Sequence, residues 1–348
     1  VKRILGVEFS LDQIVGALTS LGFGCKSGAS EVWVTAPYWR SDIHLAVDLI
    51  EEVARIIGYD KIPATMLSRP LPRQNPEPIF NLKQEVRHSL TGYGFQELIT
   101  YSLASLERLY KLLPEPHPLE FMPLRVANPM TADQEYLRPN LRANLLAALE
   151  ANRRHEDGGI RFFELGKVYL PRPGDLPDER EIVCGILSGP RLEKSWRGEK
   201  ELLDFYDAKG VVEGLMSRLG VTASFEVCHD ESLHPTKQAA IVIAGNRLGV
   251  IGEVHPKVLE AFDLSETVYL FEIDLTDLLP FTVGRKIFQP IPRFPPVVRD
   301  IALVVDARVT HREVQDIIKG FPLVAQVTVF DVYVGEQMPP GKKSLAYR

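Results

Sequence analysis

The chain has 348 residues, 45% hydrophobic and 25% charged, the balance of an ordinary soluble globular protein of two or three domains. A formal net charge of −6 excludes a protein that coats nucleic acid by bulk electrostatics, while a local basic patch stays open because affinity follows local phosphate contacts. No apolar run approaches the roughly 18 residues that span a bilayer, and VKRILGVEF lacks the features of a secretory signal, so a cytoplasmic protein is expected.

Residues 1–67 read as a small helical module. Ser10 to Leu21 sets Leu11, Ile14, Val15, Leu18 and Leu21 at helical spacing, and Glu31 to Ala36 reads as a strand. A second helix lies within APYWRSDIHLAVDLIEEVARIIGYDKIP, Ala36 to Pro63, where Leu45, Leu49, Val53 and Ile56 mark the buried face. Ser41 or Asp42 fits its N-cap, Gly58 its stop, and Pro63 lies just beyond. A helical domain with a β-wing, as in winged-helix modules, is the predicted arrangement. Residues 68–78 then form a stiff proline-rich linker within SRPLPRQNPEPIF.

Residues 79–285 mix helices and strands. Helices are predicted over Phe80 to Leu90, Asn140 to Arg154 and Asp207 to Leu219, the last closed by Gly220. Strands are predicted over Gly94 to Leu103, Ile160 to Leu170, Glu181 to Ser188 and Val268 to Ile273. Ala239 to Ala244 and Leu248 to Val254 flank Gly-Asn-Arg and read as a hairpin. The pattern predicts an α+β domain, an antiparallel sheet backed by helices. Residues 290–348 follow a proline cluster and read as strand (Ile301 to Val305), helix (Thr310 to Lys319) and two strands (Val324 to Val334, Ser344 to Arg348). Thr310 and Glu313 fit a capping box. This β-α-β-β order is the first part of a ferredoxin-like pattern, and its stop before the second helix is expected of a truncated domain.

Chemistry concentrates in the helix of the first block. Asp48, Glu51 and Glu52 sit at i, i+3 and i+4, and Asp42 lies at the helix entrance. Two readings fit: a solvated acidic face with Glu51 paired to Arg55, or a hard-cation site, for which oxygen-only ligands without a Ca2+ loop favour Mg2+. Phosphate-loop, dinucleotide, HExxH and GxSxG motifs are absent. Cys25, Cys184 and Cys228 form no CxxC pair and read as reduced core thiols. Cys228, His229 and His234 fall short of a zinc ligand set, and His234 and His255, each before proline, read as strand-end turns. Arg293, Arg299, Arg308, Arg312, Lys319, Lys342, Lys343 and Arg348 gather in the last block among interspersed acids, open either as ordinary surface or as RNA contacts.

Several long segments, in this order, resemble the C-terminal half of bacterial phenylalanyl-tRNA synthetase beta subunits: PYWRSDIHLAVDLIEEVARIIGYDKIP, NPMTADQEYLRPNLRANLLAALEANRR, RFFELGKVYLP, DFYDAKGVVEGLM, LGVIGEVHPKVLEAFDL and RFPPVVRDIALVVD. The resemblance implies a winged-helix-like module over 1–67, a class II synthetase-like domain over 79–285 and a truncated ferredoxin-fold anticodon-binding domain over 290–348. It implies a Mg2+ shared with the alpha subunit at Asp42, Asp48, Glu51 and Glu52. It also implies an (αβ)2 heterotetramer that joins phenylalanine to tRNA(Phe) with ATP as substrate, the family's editing module lying N-terminal to the matched region.

The class II pattern requires a strand-borne Arg-x-Glu to clamp the ATP α-phosphate and a late Gly-x-Gly-x-x-x-Arg. Here the candidate for the first, Arg191-Leu192-Glu193, lies in a loop, and the second is absent. Developing phosphate charge then has no cation to stabilise it, so no catalytic residue is expected in this chain. Arg299 is singled out for a phosphate contact. The rivals are an independent Mg2+-dependent hydrolase using the four carboxylates, which predicts turnover by the chain alone, and a free-standing RNA-binding adaptor, which predicts tight, steeply salt-dependent tRNA binding.

Overall fold

A computed structural model describes residues 1–29, 31–65, 77–156, 158–192, 201–282, 288, 290–291, 293–335 and 338–348. Most of the expected proline-rich linker, Glu193 and Pro292 therefore lie outside the described residues. Two compact units are present, Val1–Pro76 and Glu77–Arg348.

The first unit runs α1 (Lys2–Leu5), α2 (Leu11–Ser20), β1 (Gly24–Ser27), β2 (Val32–Thr35) and α3 (Ala46–Ile57). Ser10 caps α2 and Gln13 closes a capping box, which fixes the start of that helix in sequence-readable chemistry. β1 and β2 pair antiparallel from Gly24↔Thr35 to Ser27↔Val32. The small, polar β1 carries no strand signal of its own; β2 supplies its ladder, so only β2 was expected. Leu18, Phe23 and Val53 form the buried centre, with Ile14, Val34 and Leu49 against it. Helix α3 begins at Ala46, four residues past Asp42, because Leu45 is the N-cap and Asp48 bonds back to its N–H. Asp42 is drawn to Arg40 instead.

The second unit contains α4 (Pro78–Gly92), β3 (Gln96–Glu97), β4 (Leu103–Ala104), α5 (Leu106–Tyr110), β5 (Tyr136–Leu137), α6 (Arg142–Arg153), β6 (Ile160–Leu170), β7 (Asp178–Ser188) and α7 (Phe205–Leu219). It continues with β8 (Ser224–Glu226), β9 (Leu233–Ile243), β10 (Asn246–Val254), α8 (Pro256–Ala261), β11 (Val268–Asp274) and α9 (Leu275–Leu278). Seven strands form one sheet in the order β3-β6-β7-β11-β10-β9-β8, antiparallel throughout except for β3 beside β6. The expected α+β sheet backed by helices is present. Gly94 to Leu103, however, makes only the short β3 and β4: after Leu98 donates to Phe163, Thr100 leaves the ladder to bond the Glu164 side chain. The β9–β10 turn places Ala244 and Gly245 at positive φ, one residue earlier than the Gly-Asn expected from composition.

Both faces of the sheet are buried, which is why its strands read as nearly continuous apolar runs. On one face Phe163, Val183, Ile251 and Phe271 pack with Leu90 of α4, Val212 and Leu215 of α7, and Leu275 of α9. On the other, Phe162, Cys184, Ile186 and Leu270 pack with Leu145 and Leu149 of α6, Leu109 of α5 and Val258 of α8. Gly185 stands between Phe163 and Phe271 in the ladder, and Phe95 meets both rings edge-on at centroid distances of 6.5 and 6.0 Å. The absent side chain makes room for the rings: a Cβ on Gly185 would lie 2.2 Å from Phe271 Cζ.

The C-terminal part of this unit has β12 (Ile301–Asp306), α10 (His311–Lys319), β13 (Val329–Tyr333) and β14 (Lys342–Tyr347). Its sheet order is β12-β14-β13, with Thr310 and Glu313 forming the expected capping box. Val314 of α10 packs with Val327, Leu345 and Tyr347.

Overpacking the sheet at its tightest point gives a first test. Gly185→Ala should lower the unfolding free energy in urea by about 1–3 kcal/mol, and adding Phe271→Leu should recover part of that loss. Wild-type stability in the single variant would contradict this packing.

Candidate functional site: acidic helix and central cleft

Arg40 organises the carboxylates of the first unit. Its Nε donates to Asp42 Oδ1 at 2.9 Å and its Nη2 to Asp42 Oδ2 at 2.6 Å, a forked charge-assisted pair. The same Nη2 donates to Glu52 Oε1 at 3.0 Å, twelve residues along the chain. The guanidinium also lies 5.2 Å from the centroid of the buried Phe23 ring. Glu52 takes a second cation, Arg55, at 2.5 Å, so Arg55 pairs with Glu52 at i, i+3 and not with Glu51 as spacing predicted. Asp48 Oδ2 accepts the backbone N–H groups of His44 and Leu45 at 2.8 and 2.7 Å. Glu51 is exposed.

These contacts act on protonation. The Arg40 hydrogen bonds hold the Asp42 carboxyl down at about 2, and Asp42, then Glu52, raise the Arg40 guanidinium further above its ordinary range. The amides of His44 and Leu45 lower Asp48, and Arg40, then Arg55, lower Glu52. Among the described residues no three acidic, histidine or cysteine side chains converge as a metal site. The four carboxylates are the donor type a hard dication takes, but they do not converge here, because Arg40 and Arg55 hold Asp42 and Glu52 and backbone amides hold Asp48. The four carboxylates against Arg40 and Arg55 leave a formal −2 on this unit's helix entrance.

In the second unit, buried charge fastens α6 to the sheet. Arg138, just before α6, and Glu164 on β6 are 4% and 2% exposed and meet at 2.7 Å. Glu164 also accepts from the Thr100 hydroxyl at 2.7 Å, and Arg138 Nε donates to the Lys167 carbonyl at 2.9 Å. Arg142, the first residue of α6, reaches Asp230 at 2.8 Å, Glu272 at 2.8 Å and the Ser232 hydroxyl at 2.9 Å. Burial opposes the Arg142 charge, but Glu272 and Asp230 outweigh it and keep the guanidinium charged. Burial likewise opposes the Asp230 carboxylate, and Arg142 overrides it. Burial pushes the Cys184 thiol well up, consistent with the expected inert core residue.

Arg142 forms part of a cleft of about 700 Å³ walled by Leu112, Phe121, Pro139, Arg247 and the 229–232 loop. Its charged lining is Glu120, Asp230, Glu231 and Glu272 against Arg142 and Arg247, a formal −2 with histidines neutral. His117 Nε2 and Glu231 Oε2 meet at 2.6 Å, and the Pro118 carbonyl and then Glu231 raise the imidazole. Arg191 lies beyond the end of β7, where Asp207 and Glu201 hold its guanidinium. His234 and His255 both accept backbone N–H groups two residues on, at Thr236 and Lys257, with His255 capping α8.

Arg299 is exposed immediately before β12. Of the basic residues expected to cluster here, Arg348 pairs with Asp300 at 2.9 Å, Lys342 with Asp306 at 3.6 Å and Arg312 with Asp316 at 3.7 Å. Among the described residues Arg293, Arg299, Arg308, Lys319 and Lys343 have no carboxylate partner within ion-pair distance. Sequence reasoning passed over Arg40, Arg138, Arg142, Glu164 and Glu272. The available signal was a charge set inside an apolar run, as in RFFELG and LFEID.

Three family models match the chain in succession. The tRNA synthetase B5 domain covers residues 1–59, the phenylalanyl tRNA synthetase beta chain CLM domain covers 62–275, and the ferredoxin-fold anticodon binding domain covers 292–348. Among similar proteins, a phenylalanine–tRNA ligase beta subunit of Dehalococcoides mccartyi is 44% identical over 93% of this chain and 40% of its own length. Those of Bacillus licheniformis and Bacillus subtilis are 38% and 37% identical over all of this chain, each over 43% of its own length. The chain thus spans about two fifths of the length of the curated relatives it matches.

Two outcomes follow from the charge geometry. Glu164→Ala strands the buried Arg138 and should cost about 3–5 kcal/mol in urea unfolding, whereas Arg138→Met with Glu164→Leu should cost clearly less; equal costs would contradict a desolvated pair. For Asp42, a folded value of about 2 against an ordinary 3.8 means stabilisation that is complete above 3.8 and fades as pH falls towards 2. An NMR titration of the Asp42 carboxyl carbon should show that depressed midpoint, and Arg40→Gln should return it towards 3.8. A wild-type midpoint already near 3.8 would contradict the forked pair.

Proposed function

The chain belongs to the phenylalanyl-tRNA synthetase beta-chain family, and from that premise we propose that it is the non-catalytic scaffold of a phenylalanine–tRNA ligase. In this reading the holoenzyme, a cytoplasmic (αβ)2 heterotetramer, uses ATP to attach phenylalanine to tRNA(Phe). The seven-stranded domain is class II synthetase-like and docks the alpha subunit, which carries the chemistry. The first unit is winged-helix-like, and residues 290–348 meet tRNA near the anticodon, with Arg299 touching phosphate.

One observation carries the assignment of chemistry to the partner. The cleft's largely buried cation, Arg142, is consumed by Asp230 and Glu272, and the remaining lining is net acidic. A nucleotide polyphosphate there would meet repulsion at low dielectric where a synthetase needs preorganised positive charge. Arg191, held by Asp207 and Glu201, supplies none. The hydrolase and free-standing adaptor readings have less support, because the relatives the chain matches are phenylalanine–tRNA ligase beta subunits.

Asp42, Asp48, Glu51 and Glu52 would hold the Mg2+ shared with the alpha subunit. Bound there, the ion would supply a fixed dicationic charge that joins two subunits. The chain's own part is to present carboxylates that stay ionised far below neutral pH, as Arg40 and the capping amides ensure for Asp42, Asp48 and Glu52.

Co-purification with a phenylalanine–tRNA ligase alpha subunit tests the proposal. The wild-type chain should elute as a complex containing Mg2+, and Asp48→Ala and Glu52→Ala should each lower the metal content and weaken assembly. Unchanged assembly and unchanged metal content in both variants would refute the shared-ion site.

A further inference from the structure

We propose that the cleft beside Arg142 is a binding site for a small apolar amine, its ammonium group held at the rim by Glu120 and Glu231. The volume, about 700 Å³, is that of a small-molecule site. Its floor is apolar: Leu109 and Leu112 are 2% and 6% exposed, Pro123 is buried, and Leu113 and Phe121 are half-buried. Its charged groups divide into two sets. Asp230 and Glu272 are spent on Arg142, which takes both Asp230 oxygens. Glu120, Glu231 and Arg247 are exposed and line the same cleft. Among the described residues the Glu120 and Arg247 side chains have no hydrogen-bond or ion-pair partner, and Glu231 gives one oxygen to His117 and keeps the other.

Two properties of the walls select this ligand. First, they are fastened before anything binds. His117 Nε2 and Glu231 Oε2, 2.6 Å apart, tie the 112–123 wall to the 229–232 loop. Lys257 of α8 holds Glu115 of the same wall. The loop is anchored in turn by the Asp230 N–H, which donates to Gln238 Oε1 at 2.7 Å, and by Arg142. A pre-formed cleft costs little ordering when it is occupied. Second, the uncommitted charge is uneven, two carboxylates against one guanidinium, and the Arg142 set adds further negative charge. Apolar walls of low dielectric focus that field, so a cation is drawn in and an anion of the same shape is turned away. A bare metal ion would gain nothing from the floor, and a neutral apolar molecule nothing from the rim. A molecule with an apolar body and an ammonium group uses both.

The test uses the full chain and two probes of similar size and opposite charge, phenethylamine and hydrocinnamate, in titration calorimetry at neutral pH. The amine should bind, and the carboxylate should bind at least about tenfold more weakly, because the same walls meet it with charge of the wrong sign. Glu120→Gln combined with Glu231→Gln should weaken the amine at least about fivefold, and Arg247→Gln should tighten it by about twofold or more. Opposite shifts of that kind do not arise from a general loss of structure, and all three side chains are exposed, so the variants should melt with wild type. Equal affinity for the two probes, or no binding of either, would overturn the proposal. An amine affinity unchanged in both variants would place the amine elsewhere on the surface and overturn it equally.

Discussion

A buried guanidinium has to be matched, and much of the second unit is arranged around that requirement. Arg138, four residues before α6, is buried, and Arg142, the first residue of α6, is largely taken out of water. Desolvation on that scale is tolerable only where carboxylates and hydrogen-bond acceptors meet the charge at close range. Glu164 answers Arg138 from β6, and Glu272 and Asp230 answer Arg142 from β11 and the loop before β9. Thr100, Ser232 and the Lys167 carbonyl satisfy what remains. These contacts join segments up to 130 residues apart, so they fix how α6, the sheet and the 98–101 segment sit together.

The same pairing has a functional consequence. Carboxylates that neutralise Arg142 line the cleft, and the charge left over there is negative. A polyphosphate placed in that cleft would meet repulsion instead of attraction. The first unit repeats the motif. Arg40 gathers Asp42 and Glu52 from either side of the entrance to α3.

Much of the fold was legible because local chemistry agreed with the final packing. Ser10 with Gln13 and Thr310 with Glu313 start their helices where the capping signal stands. Ile160–Leu170 matches its predicted span because an apolar run bounded by glycine and proline has few other uses. Legibility failed where a distant partner decides. GCKS is a strand only because β2 lies beside it, and Thr100 leaves the ladder because Glu164 calls its hydroxyl away. For the site, spacing placed Asp48, Glu51 and Glu52 on one helix, but the bridge from Arg40 spans a loop whose path periodicity does not encode. Family resemblance supplied the roles that residue pattern alone left open.

The central claim is that this chain lacks the positive charge to act on ATP and lends its surface to a partner that has it. Phenylalanine-dependent ATP–pyrophosphate exchange measures it most directly, on the purified chain alone and after adding the alpha subunit. The account predicts no exchange above background for the chain alone and exchange that appears with the alpha subunit. Phenylalanine-dependent exchange by the chain alone would contradict it.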